Sequence, residues 1–235
     1  MKILVLTGAG ISAESGIPTF RDANGLWEGH RFKDVATPEA FQRNPDRVQS
    51  FYNERRKQLQ QPSIQPNPAH VALAELEERY RDDFLLVTQN IDNLHRRAGS
   101  QRIIAMHGEL LKARCIDSGA LFDWTDDLDR STMHPEDPAS VGRLRPHVVW
   151  FGEMPIGLDE IHQAAGEADL FIAIGTSAVV YPAAAIVEWT QPSCRRVEIN
   201  LDATSRSPAF DESIRGKASI EVPKFLASLQ GSGAT

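Results

Sequence analysis

Gly8-Ala9-Gly10-Ile11-Ser12-Ala13-Glu14-Ser15-Gly16-Ile17-Pro18-Thr19-Phe20-Arg21 follows directly on the apolar run Ile3-Leu4-Val5-Leu6, and the reading of this stretch decides the fold. A leucine-rich, β-branched run that ends in Gly8-x-Gly10-x-x-Ala13 predicts strand, tight turn and helix start, with the spacing that lets a backbone approach a pyrophosphate. Free N–H groups at such a helix start hold phosphates. Here Gly16-Ile17-Pro18 stops the helix almost at once, so the loop Thr19-Phe20-Arg21 is expected to belong to the site. Taken alone, the glycine spacing fits an ordinary strand-to-helix turn equally well.

Outward from this stretch, apolar runs alternate with turns and helical patterns. The runs are Phe84-Leu85-Leu86-Val87-Thr88, Ile103-Ile104-Ala105-Met106, Val148-Val149-Trp150-Phe151, Leu170-Phe171-Ile172-Ala173-Ile174 and Val197-Glu198-Ile199, with Ser219-Ile220-Glu221-Val222 as a shorter last one. Near-continuous apolar runs suit parallel strands buried on both faces. Helical patterns from Leu158 to Ala168, Pro182 to Thr190 and Pro223 to Gln230 complete the alternation, which specifies an α/β doubly wound parallel sheet of Rossmann type.

Two stretches interrupt it. Trp27 to Phe41 is short, mixed and turn-rich, after which Asn44-Pro45-Asp46 opens a helix running to about Gln60. Its buried stripe at 3.6 periodicity is Val48, Phe51, Tyr52, Arg55 and Leu59, so a phenol and a guanidinium stand where aliphatic side chains are expected. By pattern alone, Arg55 could equally snorkel to solvent or pair with an acid. A proline-rich linker leads to Asn67-Pro68, which opens a second helix with Leu73, Leu76 and Tyr80 on one face. The other interruption, Glu109 to Pro146, is polar and too long for a plain loop, and predicts a small inserted module.

At 235 residues the chain can bury a full core, as one large domain or one domain carrying a smaller insertion. Its 41% hydrophobic and 24% charged residues exclude a disordered class. Lys and Arg number 25 against 32 Asp and Glu, net −7 with no basic block, which argues against nucleic acid as the main partner. With no long apolar segment and no signal pattern, no membrane partner is expected and the cytoplasm is the default location. Cys115 and Cys194, the only cysteines, are expected to be free thiols.

Ligands of open α/β sheets bind beyond the carboxyl ends of the strands, so the residues after each apolar run are the candidate site. They are Gly8-Ala9-Gly10, Gln89-Asn90-Ile91-Asp92, His107-Gly108, Gly152-Glu153, Gly175-Thr176-Ser177 and Asn200. Each has a bland reading: His107 as a structural histidine, Asn90 as a turn former, Thr176-Ser177 as a helix cap. Six on one rim form a coherent set.

Together with Thr88 to His95 and Val148 to Glu153, these stretches resemble the sirtuins, NAD-dependent protein deacylases, in the family's order and over nearly the whole chain. The resemblance implies a deoxyhypusine synthase-like, Rossmann-type NAD domain, here residues 1–24, 68–108 and 147–235. It also implies a small domain built from a helical insertion, 25–67, and a second insertion, 109–146. The acyl oxygen of an acylated lysine would attack the nicotinamide ribose, consuming NAD and releasing nicotinamide, O-acyl-ADP-ribose and free lysine. His107 would be the general base, and Asn90 and Asp92 would orient the ribose and nicotinamide. Gly8, Ala9, Gly10, Ala13, Thr19, Phe20, Arg21, Gln89 and Ile91 would line the cofactor cleft, with Gly175, Thr176, Ser177, Asn200 and Ala218 around the phosphates and adenosine. The peptide would lie along Val149, Phe151, Gly152 and Glu153, pairing as an added strand. Tyr52 and Arg55 match the Tyr-x-x-Arg of class III sirtuins, which implies succinyl or malonyl as the preferred group, with weaker deacetylation. The oligomeric state is not legible.

One departure stands out. Sirtuins commonly hold a structural zinc with two Cys-x-x-Cys pairs, yet Ser118 stands where the mate of Cys115 should be, and no second pair exists. Asp117, Asp123, His134, Asp137 and His147 lack any recognised ligand spacing, so zinc is not expected. The second insertion would instead rest on packing of Leu110, Leu111, Leu121, Phe122 and Trp124. A protein ADP-ribosyltransferase using the same NAD site is the alternative activity. A dehydrogenase or a non-catalytic NAD sensor fits the truncated first helix less well.

Overall fold

Strand β1 (Ile3–Thr7) is buried along its whole length, as its apolar composition requires of a central strand. It appears in a computed structural model that describes residues 1–19, 26–27, 30–177 and 180–231. Phe20 and Arg21 lie outside the described residues. After β1, two single 3₁₀ turns, Ala9–Ile11 and Ala13–Ser15, stand in place of a helix, and Gly16 closes them at φ 89°. A short hairpin, β2 (Leu26–Trp27) and β3 (His30–Arg31), precedes α1 (Phe32–Val35), α2 (Pro38–Arg43) and α3 (Pro45–Leu59). Asn44 caps α3 by accepting the Arg47 amide at 3.1 Å, and Pro45 supplies the first helical residue. Helix α4 (Pro68–Tyr80) opens on a capping box between Asn67 and His70.

The chain continues through β4 (Phe84–Thr88), α5 (Leu94–Ala98), β5 (Ile103–Ala105), β6 (Gly108–Cys115), β7 (Leu121–Asp123) and β8 (Leu144–Val148). It ends with α6 (Leu158–Glu167), β9 (Leu170–Ile174), a 3₁₀ helix (Ala183–Trp189), β10 (Arg195–Asn200), β11 (Glu212–Arg215) and α7 (Ala218–Gly231). Six strands form one parallel sheet in the order β11-β10-β9-β1-β4-β5. The strand order reverses direction at β1, which opens a crevice between the carboxyl ends of β1 and β9. One face of the sheet is covered by α4 and α7 through Leu73, Leu76, Val222 and Phe225, the other by α6 and the late 3₁₀ helix through Ile161, Ala165 and Ile186.

The smaller domain joins α1–α3 to an antiparallel sheet of order β7-β6-β8. Its larger core gathers Val48, Phe51, Tyr52, Leu110, Val148 and Trp150. A second cluster of Ala113, Cys115, Leu128 and Leu144, with Phe122 and Trp124 against it, holds the distal end. Asn53 ties the latter to α3, donating to the Leu128 carbonyl at 2.9 Å and accepting its amide at 2.9 Å.

Several expectations are corrected. Val148 to Phe151 is not a strand of the main sheet: β8 ends at Val148 in the small sheet, and the chain turns through Gly152 at φ 94°. The true strand carries Arg145, Pro146 and His147, all buried, so its polar composition hid it. Ser219 to Val222 is the start of α7, where Ala218, Val222, Phe225 and Leu226 form a stripe of helical period. The last strand is instead β11, whose alternating burial marks a sheet edge and leaves no apolar run to read. Leu121 is 49% exposed and takes no part in the core of the second insertion.

Candidate active site

The loops after β1 and β9 meet at the crevice. Gly8 N donates to Ile174 O at 3.0 Å and Gly10 N to Gly175 O at 2.8 Å. A β-carbon on Gly10 would stand 2.6 Å from Gly175 Cα, and one on Gly175, at φ 61°, would stand 2.4 Å from Ile11 N. These glycines are therefore required by the contact of one loop with the other. The amides of Gly8, Gly10, Ile11 and Ser12 bond to carbonyl oxygens of the protein.

The loop after β4 locks into this pair. Asn90 Nδ2 donates to Gly8 O at 3.1 Å and to Ser12 Oγ at 3.2 Å, and Ser12 Oγ donates to Asp92 Oδ2 at 2.9 Å. The other Asp92 oxygen accepts the Leu94 amide at 3.0 Å. Burial raises the Asp92 pKa, and these two donors oppose the rise. Gln89 Nε2 reaches Thr176 Oγ1 at 3.0 Å, which links the loops after β4 and β9. Ser12 is the hinge of this set, and its place two residues after Gly10, in the same loop, is the signal the sequence offers for it.

His107 follows β5, with Nδ1 at 3.0 Å from Gln89 O. A carbonyl can only accept, so Nδ1 carries the proton and Nε2 keeps its lone pair. Burial lowers the His107 pKa and the Gln89 contact only partly offsets this, so the imidazole is a neutral base at pH 7.

Helix α3 supplies the facing wall. Tyr52 is fully buried and its oxygen accepts Trp150 Nε1–H at 3.1 Å. Arg55, 8% exposed, stacks its guanidinium 3.3 Å from the centre of the Phe51 ring and donates to Phe51 O at 2.7 Å. Beyond them, Arg145 grips Glu153 through both carboxylate oxygens, at 2.7 and 2.9 Å, and Glu153 also accepts the Trp150 amide at 2.8 Å. The segment expected to pair with peptide is thus a pinned turn, and the amides of Val149, Phe151 and Glu153 already bond within the protein.

A cleft of about 300 Å³ runs between the two walls. Every expected site residue that is described lines it except Ala13, Gly108, Asn200 and Ala218. Ala13 is exposed, Ala218 opens α7, and buried Asn200 ends β10 and donates to Thr176 O at 3.0 Å. The cleft also gathers Gln58, Trp150 and Tyr181, which the sequence reading did not single out. Among the described residues no group of three or more His, Cys, Asp or Glu is placed to hold a metal ion. Nor is any helix among them long and apolar enough to cross a membrane.

A neutral imidazole facing paired glycine loops at the switch point of a doubly wound sheet places the protein among dinucleotide-using enzymes. The Sir2 family model matches residues 8–182. The chain is 66% identical over 233 residues to the NAD-dependent protein deacylase of Rhodopirellula baltica, covering 96% of this chain and 98% of that one. It is 58% identical over 233 residues to the enzyme of the same name from Escherichia coli, covering 97% and 82%. A solved Sir2 homologue in complex with NAD superimposes with a TM-score of 0.86 at 40% identity, over 98% of this chain and 90% of that one. A second, in complex with ADP-ribose, gives 0.87 at 39%, over 98% and 92%. The chain belongs to the Sir2 family, the NAD-dependent protein deacylases.

Proposed function

We propose that this deacylase acts preferentially on lysines carrying an acidic acyl group, succinyl or malonyl, and more weakly on acetyl-lysine. The observation that carries the reading is the placement of Tyr52 and Arg55 on one face of α3, toward the cleft that His107 lines from the other side. A partly desolvated guanidinium binds a carboxylate through two parallel hydrogen bonds, and a phenol adds a third donor. Acetyl-lysine brings no anion to that corner.

The residues at the sheet rim suit NAD. Their donors and acceptors are uncharged amides, hydroxyls and the neutral His107 imidazole apart from Asp92, and behind them Asn200 holds a buried Oδ1 with no hydrogen-bond partner among the described residues. When bound, NAD supplies an electrophilic ribose carbon and a nicotinamide leaving group. In this reading His107 Nε2 takes a proton from a ribose hydroxyl, and Asn90 and Asp92, fixed through Ser12, orient the ribose and nicotinamide. The glycine loops, with Thr19, Gln89, Ile91, Thr176 and Ser177, form the dinucleotide wall, and Asn200 and Ala218 lie at its adenosine end. Val149, Phe151, Gly152 and Glu153 form the lip along which the protein substrate lies. Cys115 and Cys194 are both unpaired, which suits a cytoplasmic enzyme.

The test is one peptide carrying succinyl, malonyl or acetyl on the same lysine, incubated with NAD and read by mass spectrometry. Faster removal of succinyl than acetyl by the wild type, with selective loss of the former in Arg55→Met, is the expected result. Acetyl removed faster, or both slowed equally by the substitution, would sink the acidic-pocket reading.

A further inference from the structure

Glu198 lies in the middle of β10 with 1% of its surface exposed, a buried carboxylate that the proposed chemistry does not use. Five donors converge on it. Asn200 Nδ2 and Thr204 Oγ1 donate to Oε1, each at 2.9 Å. Ser207 Oγ, Ser213 Oγ and Arg215 Nη1 donate to Oε2 at 2.6, 3.2 and 2.7 Å. Burial alone would raise its pKa, but Ser207, Arg215 and the other donors hold it below the ordinary range, so the group is an anion at neutral pH. With both oxygens engaged, Glu198 has no direct part in ligand binding.

Its effect passes through Asn200. The Asn200 amide nitrogen has two neighbours, Glu198 Oε1 at 2.9 Å and Thr176 O at 3.0 Å, and both can only accept. A flipped amide would set its oxygen against a carboxylate and a carbonyl, so the nitrogen must face them and both its hydrogens are used. What remains is Oδ1, buried and without a partner among the described residues, on a side chain joined by one hydrogen bond to the Thr176 loop of the cleft wall. An unpartnered buried acceptor is costly unless a donor completes it, and a ribose hydroxyl is such a donor.

We propose that Glu198 is a positioning residue for NAD: its carboxylate, with the Thr176 carbonyl, fixes the Asn200 amide so that only the oxygen is presented to a ribose hydroxyl. This rests on the reading of Asn200 as a dinucleotide contact. Glu198→Gln puts an N–H donor beside the Asn200 nitrogen and leaves the Thr176 carbonyl as the one acceptor that favours this amide orientation.

The experiment is steady-state kinetics on wild type, Glu198→Gln, Asn200→Ala and the double variant, with NAD and acyl-peptide varied separately. Asn200→Ala and Glu198→Gln should each raise KM for NAD by roughly 10-fold, with kcat and the peptide KM little changed, and the double variant should be no worse than Asn200→Ala. An unchanged NAD KM in Asn200→Ala removes the reading of Asn200, and the inference with it. A raised KM in Asn200→Ala with a further, additive rise in the double variant overturns the role of Glu198 alone. The wild type gives an independent measurement should Glu198→Gln not fold. With ¹⁵N-labelled asparagine, the Asn200 side-chain hydrogens, assigned by their loss in Asn200→Ala, should resist exchange both before and after ADP-ribose is added. Hydrogens that become protected only on binding would overturn the proposal.

Discussion

On the sheet side of the cleft, polar side chains are held by backbone groups and by one another, whereas on the α3 side aromatic rings share in the hold. Asn90 is fixed by Gly8 O and Ser12, and His107 by Gln89 O, all on loops anchored to parallel strands. Tyr52 is held by the Trp150 indole and Arg55 by the face of Phe51. Burial alone does not make an arginine part of the site. Arg56, the next residue, is fully buried, spends Nε on Leu110 O at 3.2 Å and Nη1 on Asn53 Oδ1 at 2.7 Å, and has its pKa lowered to about 10 by burial. One step along α3 thus turns an arginine from a cleft wall into an internal tie between helix and sheet. In the function proposed above, the sheet wall would serve chemistry common to every substrate and the helix wall choice among substrates.

Four substitutions or conditions bear on this division, and one treatment should leave it untouched. His107→Ala should reduce turnover on every acyl group by at least ~100-fold while NAD binding persists, the usual scale for a lost general base. Wild-type turnover on any acyl peptide would break the assignment of chemistry to the sheet wall. Arg55→Met should reduce kcat/KM for succinyl-lysine roughly 30- to 1000-fold, corresponding to ~2 to 4 kcal/mol for a charge-assisted contact, and spare acetyl-lysine.

Acid should weaken the sheet wall from beneath. His95 Nε2 stands 3.0 Å from Thr7 Oγ1, and the His70 ring packs 4.8 Å from the His95 ring. Burial lowers the His70 pKa from 6.5 to about 4 and pushes His95 well below its usual value. Between pH 6.5 and about 4 the unfolded chain binds more protons than the folded one, so stability is intact above 6.5 and falls as pH drops through that window. The His70 share is on the order of 3 kcal/mol, and urea titrations at pH 7 and 4.5 should show it, reduced in His70→Gln. A midpoint that does not move with pH would remove these histidines from the account.

Gly10→Ala is expected to destabilise by roughly 1 to 3 kcal/mol, because the β-carbon meets the Gly175 backbone and the loops must part. Thermal melting with and without ADP-ribose reads both fold and site. The smallest effect concerns metal: chelation should leave the melting temperature unchanged, because the second insertion is held by the cluster around Cys115, Leu128 and Leu144. Stoichiometric zinc with loss of fold on chelation would contradict this.

Much of the sheet wall was legible because its residues directly follow apolar strands: Gln89 to Asp92, His107 and Gly175 to Ser177 all line the cleft. The helix wall was legible in another way, as two misfits in a 3.6-residue stripe that is buried at Val48, Phe51, Tyr52, Arg55 and Leu59. Reading failed where a strand is polar, as in β8 with Arg145 buried against Glu153, and where four residues alternating polar and apolar could be strand or helix, as at Ser219 to Val222. Such segments take their state from partners distant in sequence.

By itself the sequence determined most of the alternation of strands and helices and which residues share a face of α3. These depend on local sterics and on periods of two and 3.6 residues, which act over one or two turns. Only the tertiary structure decided that β9 lies beside β1, so that the Gly175 backbone occupies the space a side chain at Gly10 would need. It also decided which way the Asn200 amide faces, since its two acceptors come from Glu198 and from a loop 24 residues away. Strand order and amide orientation are set by which buried groups find hydrogen-bond partners once the chain has closed, and no local pattern encodes that choice.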